Sequence, residues 1–360
     1  MEVKQRTRRR RGQSVKKKAE WSEAWQIAAV YVGTVIGAGF ATGREIIEFF
    51  TRYGMAGTIG VAVSGVLFTW GGARLMVMAR RIGAASYDEL NRYLFGRMLS
   101  PFVTLVMTAM IAGVTAVMIA GAGAVFEEQL GWTRQAGVAL TLGLALLVML
   151  FDRKGLFGVN VFVAPMMVLF SAIAFVKTIV AGDLCRPDMA AVDYSLKAML
   201  SPFSYAAFNL AMAQAVLVPI AREATDERAV RRGAMLGGMV LTVLLLLNHM
   251  VLLSFPHKDD YDIPMAEVVH TFFTVLYWLY VVVIYGEIFT SVIGGMFGLA
   301  RQVRVWAPLG GKWLGVLLVL LFAAVSPFHY GELLSFIYPL FGYMSLVLLW
   351  LLWRRQLPRR

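Results

Sequence analysis

Long apolar runs, recurring along the chain and separated by short basic segments, limit this sequence more than any other feature. A helix needs about 20 mostly apolar residues to cross the ~30 Å hydrocarbon layer of a bilayer. Ten segments meet that need: Ala24 to Tyr53, Met55 to Ile82, Pro101 to Phe126, Trp132 to Phe151, Gly155 to Ala181, Lys197 to Ile220, Arg231 to Phe255, Thr271 to Ala300, Lys312 to Ser326 and Glu332 to Trp353. With 59% of its 360 residues hydrophobic, the chain carries more apolar surface than one water-soluble core could bury. Lipid must solvate most of it. The fold class is therefore an all-α polytopic membrane protein, with one transmembrane domain over residues 24–353 between basic tails at 1–23 and 354–360.

A net charge of +12, and the tail Arg8-Arg9-Arg10-Arg11 with Lys16-Lys17-Lys18, would suit nucleic acid in a soluble protein. The bilayer explains the excess without it, because basic residues collect on the cytoplasmic side of spans, where anionic lipid attracts them. One set of connections carries the N-terminal tail, Arg80, Arg81, Arg92, Arg97, Arg153, Lys154, Arg222, Arg228, Arg231, Arg232, Arg301, Arg304, Lys312, Arg354, Arg355, Arg359 and Arg360. The other carries only Arg52, Arg134, Lys177, Arg186, Lys197 and Lys258. Both termini are thus expected in the cytoplasm, as an even span count requires. A cleaved signal peptide does not fit, because the run from Trp25 to Gly43 is too long and lacks a convincing cleavage site. The one cysteine, Cys185, excludes an intrachain disulfide or a cysteine-based metal site and reads as a bystander. No zinc spacing, nucleophile elbow, P-loop or dinucleotide fingerprint occurs, so the sequence offers no catalytic residue, resident metal or cofactor.

Two connections carry structure of their own. Ser86-Tyr87-Asp88-Glu89 is a capping box that predicts a short cytoplasmic helix from Ser86 to Phe95. On the outer side, the polar stretch His257 to Asp262 leads to Pro264, well placed to start a helix over Met265 to Phe273. That helix either covers a vestibule or lies on the surface as an ordinary loop helix.

Function is expected where the helices break, since a break inside a bilayer exposes amides and carbonyls that need a ligand, water or protein partner. In span one, Gly37-Ala38-Gly39 sits near mid-membrane. Glycine leaves helical dihedrals readily, but Gly33 and Gly37, like Gly39 and Gly43, also have the G-x-x-x-G spacing of closely packed helices, so both readings stand on these residues alone. The charged segment Arg44 to Phe50 follows, with Arg44, Glu48 and Arg52 on one face; it predicts a half helix facing water or protein near the outer surface, or charges in the headgroup layer. Span six offers a counterpart from Ser201-Pro202 through Tyr205, Phe208 and Asn209 to Pro219, read as a second break. Five spans separate the two, which suggests an inverted repeat of about 24–181 and 197–353 with a midplane site between the broken helices.

Span eight places Glu287, Thr290 and Ser291 on one helical face. A carboxylate at that depth must be protonated, paired, holding a cation, or neutral and bonded to a neighbouring helix. Asn248 and His249 read as glue between helices, Arg74 as packed or near the cytoplasmic face, and Pro339 as a kink.

The stretch from Gly33 to Glu45, GTVIGAGFATGRE, resembles the opening motif of the YkvI-like bacterial membrane proteins, and the similarity extends to Glu287-Ile-Phe-Thr-Ser291 and to the ten-span length. Such proteins look like distant members of the amino acid, polyamine and organocation superfamily. The resemblance implies a bacterial inner-membrane location and the LeuT fold, a five-plus-five inverted repeat with broken helices one and six. By resemblance, Gly37, Ala38, Gly39 and Phe40 would hold a substrate carboxylate, and Tyr205, Phe208 and Asn209 would complete the pocket. A sodium site in many relatives would correspond to Gly33 and Ile36 with Thr290 and Ser291. Glu287 departs from that pattern, standing where sodium-coupled relatives commonly place a small residue, so the coupling ion is left open between Na+ and H+.

Together these features imply a cation-coupled secondary transporter of a small amino acid or similar zwitterion, not an enzyme, whose partners are its solute and the bilayer. A transporter-like sensor or scaffold that binds a ligand or partner without moving it is the alternative.

Overall fold

Segments this apolar can satisfy their backbone amides in lipid only by closing them into helices or barrels. In the computed structural model, every regular element among the described residues is helical. The described residues are 20–150, 159–182, 195–256, 258–272, 274–306, 311–324 and 327–358. In chain order the helices are α1 (residues 20–35), α2 (Ala38–Thr42), α3 (Arg44–Phe49), α4 (Met55–Ile82), α5 (Tyr87–Phe95), α6 (Ser100–Ala124, extended by a π turn at Val125–Gln129), α7 (Arg134–Leu150) and α8 (Val159–Val180). The second half has α9 (Leu196–Glu223), α10 (Glu227–Ser254), α11 (Pro264–Phe272), α12 (Thr274–Trp306), α13 (Gly311–Ala323) and α14 (Tyr330–Arg354). Cys185, Arg153, Lys154 and most of the N-terminal basic tail lie outside the described residues. By length and composition, six described helices can cross a membrane, and Arg134–Leu150, Pro165–Val180 and Trp313–Ala323 are shorter apolar helices.

The first predicted span is not one helix but three. α1 ends at residue 35, Gly37 is extended (φ −109°, ψ −173°), and α2 lasts only to Gly43, whose left-handed φ of 82° turns the chain into α3. Packing does not require Gly37: a Cβ there would meet nothing within 4 Å. The proposed break in span six is not found. α9 runs unbroken through Ser201, Pro202, Tyr205, Phe208 and Asn209. Hydrogen bonds beside Pro202 tie α9 to its neighbours. The Ser64 hydroxyl donates to the Pro202 carbonyl at 3.0 Å and the Ser201 hydroxyl to that of Phe49 at 2.6 Å.

α4 lies between α9 and α10, and small residues set how closely it packs. A Cβ on Gly238 would stand 2.5 Å from Thr69 Cα, so α10 approaches the α4 backbone directly there. His249 bridges the Thr51 and Thr58 hydroxyls at 3.1 and 3.0 Å, while the Asn248 amide bonds Ser171 on α8 at 2.9 Å. Both residues join helices, as read from the sequence.

Contacts sort the connections into the two sets expected from charge. On one side, Arg81 pairs with Glu227 at 2.8 Å and donates to the Pro358 carbonyl, Arg232 pairs with Glu20, and the Glu23 carboxylate accepts from Thr225. Arg74 donates to the Leu352 and Arg355 carbonyls at the end of α14. The capping box also forms here: Ser86 accepts from the Glu89 amide, and the Glu89 carboxylate accepts from the Ala85 amide at 2.8 Å. On the other side, Arg44, Glu127, Glu128, Arg134 and Asp262 meet one another or the loop ahead of α11.

Candidate functional site

The break in span one opens onto a cavity of about 1000 Å3. Leaving the helix at Ile36 and Gly37 frees the carbonyls of Gly33 to Ile36 and the amides of Gly37 to Phe40, which have no backbone partner among the described residues. The wall follows α1 from Trp25 through the break to Glu45 of α3 and is completed by α6, α8, α9, Val240 of α10, α12 and Tyr338 of α14. Of the residues singled out in the sequence, Gly33, Ile36, Gly37, Ala38, Gly39, Phe208, Asn209, Glu287, Thr290 and Ser291 border it together. Phe40 and Tyr205 do not: both are buried behind the wall, Tyr205 among the rings of Phe49, Phe50 and Phe68.

Glu45 lines the same cavity and was not picked out from the sequence. The sequence pattern points instead to the face of Arg44, Glu48 and Arg52. That face meets protein more than water: Glu48 is buried and paired with Arg52, and Arg44 donates to the Tyr261 carbonyl at 3.1 Å. Glu45 projects from the adjacent face, and the left-handed turn at Gly43 carries it back over the break. Only 4% of Glu45 is exposed, and a Cβ on Gly39 would collide with its carboxylate. Asn209 donates to Glu45 Oε1 at 3.4 Å and to the Tyr205 carbonyl at 3.1 Å. The usable signal was local: one turn on from Glu45 is Phe49, so its face of α3 is the apolar one and had to be buried.

Glu287 is also only 4% exposed, and its carboxylate has no hydrogen-bond or ion-pair partner among the described residues. The Thr290 hydroxyl donates to the Glu287 carbonyl at 3.1 Å and so serves its own helix in this conformation. The cavity wall includes two carboxylates and, among the described residues, no Lys, Arg or His. Uncompensated carboxylates in a cavity attract a cation or a proton.

Beyond Glu45 the break is closed over. The Thr42 and Tyr330 hydroxyls share a hydrogen bond of 2.9 Å, and Tyr280 donates to the Ala41 carbonyl at 2.8 Å. Met265 of α11 packs on Gly43, so the predicted loop helix is a cover and not a surface ornament. A polar network lies above it. Arg134, 6% exposed, pairs with Glu127 and, at 3.2 Å, with Asp262; Asp262 also accepts from the Gly331 amide at 2.9 Å, and Glu128 accepts from the amides of Asp262 and Ile263.

No protein-family model matches the chain. It is 44% identical over 337 residues to the uncharacterized membrane protein YkvI of Bacillus subtilis (strain 168), covering 94% of this chain and 97% of that protein. The chain belongs to the YkvI family. A more distant relative of this YkvI-family protein is YyaD of the same organism, 22% identical over 337 residues, covering 91% of this chain and 96% of that one. Among solved structures, the family member resembles MhsT in complex with L-phenylalanine (TM-score 0.61, 10% identity, 90% of this chain and 85% of that one). It also resembles Mhp1 in its inward-facing conformation (0.59, 12%, 91% and 75%) and a mutant Eremococcus coleocola manganese transporter (0.57, 16%, 92% and 76%). The YkvI-family chain is thus a multi-pass helical membrane protein with the LeuT fold of these neighbours.

Proposed function

We propose that this chain is a secondary active transporter of the bacterial inner membrane that moves a small amino acid or similar zwitterionic solute by alternating access, coupled to Na+ or H+. The observation that carries the reading is the cavity of about 1000 Å3 at a mid-helix break, closed at one end by covering contacts and extending along α1 at the other. In this reading ten spans form two inverted five-span repeats, about 24–181 and 197–353, with both termini cytoplasmic. The inward-facing state follows from that orientation: the cavity extends along α1 as far as Trp25, and α11 and the Arg134 network, on the outer side in this reading, cover its other end.

The freed backbone from Gly37 to Gly39, with Phe208 and Asn209, supplies the substrate contacts, and Phe40 and Tyr205 support them from behind. Glu287 with Thr290, Ser291 and the carbonyls of Gly33 and Ile36 supplies the coupling-ion site. Oxygen donors of this kind suit Na+, and the carboxylate alone suits a proton. The fold does not choose the cargo, because the neighbours' names include both L-phenylalanine and manganese.

The test is uptake by proteoliposomes across a panel of amino acids and amines, with sodium and proton gradients imposed separately. Accumulation that follows one gradient is expected. A solute that stabilises the protein thermally but never crosses would replace the transporter with a sensor.

A further inference from the structure

We infer that Glu45, together with Asn209 and Tyr338, holds the ammonium group of the transported solute. The inference rests on the transport reading and deepens it by naming the chemical group that the cavity selects. Glu287 serves the coupling ion in that reading, which leaves the second carboxylate without a task.

Glu45 stands at the closed end of the cavity, on the wall formed by the span-one break. Burial leaves it 4% exposed, and no Lys, Arg or His among the described residues lines the cavity to compensate it. A lone acidic group could simply sit protonated, but two further side chains point to a ligand. Tyr338 also lines the cavity, is 3% exposed, and its hydroxyl has no hydrogen-bond partner among the described residues. Asn209 spends its amide nitrogen on Glu45 and on the Tyr205 carbonyl, so its side-chain oxygen is left to accept from the cavity. A carboxylate, an amide oxygen and a phenol oxygen together offer acceptors for the three N–H donors of a primary ammonium.

The surroundings suit the same group. The Phe208 and Tyr338 rings lie 4.7 Å apart in a tilted pair beside Asn209, and aromatic faces attract a desolvated cation. A larger residue at Gly39 would strike the Glu45 carboxylate, so the glycine at the break also fixes where that carboxylate lies. A solute bearing an ammonium is selected, and one in which a hydroxyl replaces it leaves Glu45 uncompensated.

The experiment measures binding to purified full-length protein in lipid nanodiscs. The probes are the twenty amino acids and, for each that binds, its decarboxylated amine and the 2-hydroxy acid that lacks the amino group. Wild type is expected to bind the amine measurably and the hydroxy acid about 10- to 100-fold more weakly than the amino acid, the range for a hydrogen bond to a charged group. Glu45→Gln should lose most of that preference, Asn209→Ala should lose part of it, and Glu45→Asp should keep the preference at lower affinity. A purely structural role would lower stability without altering the ratio of amino to hydroxy acid. Two results overturn the inference: wild type that binds the hydroxy acid as tightly as the amino acid, or a folded Glu45→Gln variant that keeps the full preference. Should Glu45→Gln not fold, the wild-type ratio and Glu45→Asp still decide the matter, because an Asp variant without preference contradicts the assignment. If no probe binds here and none crosses in the proteoliposome test, the transport reading fails as well; if solutes cross there but the binding ratio is unmoved, only the Glu45 assignment fails.

Discussion

In the inward-facing reading proposed above, replacing Asp262 with Ala should unlock the outer side of the cavity. The side chain accepts two hydrogen bonds, from Arg134 Nη2 at 3.2 Å and from the Gly331 amide at the start of α14 at 2.9 Å. Hydrogen bonds involving a charged group contribute about 1.5–3 kcal/mol each. The longer bond belongs at the low end, and Arg134 retains Glu127, so the pair together stabilises the closed end of the cavity by about 3 kcal/mol. At ~1.4 kcal/mol per factor of ten, that shifts the equilibrium toward an outward-open state by roughly 100-fold. Asp262→Asn keeps an acceptor for Gly331 and should shift it by about tenfold. The assay places a reporter at the break, Gly37→Cys in a Cys185→Ser background, because a side chain at Gly37 enters open space. Intact cells are treated with a membrane-impermeant maleimide. The labelling rate should rise in the order wild-type Asp262, Asn, Ala, until the outward-open state dominates. A folded Asp262→Ala protein labelled no faster than the parent would refute the claim that this network is the outer lock.

Further expectations concern packing and coupling. His249→Leu removes the bridge between Thr51 and Thr58 and strands two hydroxyls, which should destabilise the protein by about 1–2 kcal/mol in a thermal unfolding assay. Gly238→Leu drives a side chain into the Thr69 backbone and should abolish the monodisperse peak in detergent chromatography, whereas Gly37→Ala, which meets nothing, should leave it intact. Glu287→Gln should remove dependence on the coupling gradient while leaving solute exchange measurable; gradient dependence equal to wild type would exclude Glu287 as the ion carrier.

What the sequence revealed and concealed follows from how local each signal is. Gly37-Ala38-Gly39 was readable because glycine acts on its own backbone, and the structure leaves the helix there. Glu287 was readable because a carboxylate in the middle of an apolar run stands out wherever the neighbours fall. The capping box at Ser86 to Glu89 is likewise complete within four residues. Glu45 was concealed because its direction depends on the turn at Gly43, which rotates α3 relative to α2, and no periodicity continues across a left-handed residue. The span-six break was overread from Pro202 and Asn209. Proline signals a missing donor, but α9 loses only one backbone bond there and continues as a helix. On that continuous α9, Tyr205 stands behind the cavity wall, its ring packed among Phe49, Phe50 and Phe68.

The central claim is that the cavity at the break is the path of a transported solute. The most direct measurement is uptake by proteoliposomes containing Gly37→Cys in the Cys185→Ser background, before and after quantitative modification with a bulky thiol reagent. The account predicts that modification abolishes uptake and that a transported solute slows the modification. Undiminished uptake by fully modified protein would contradict it.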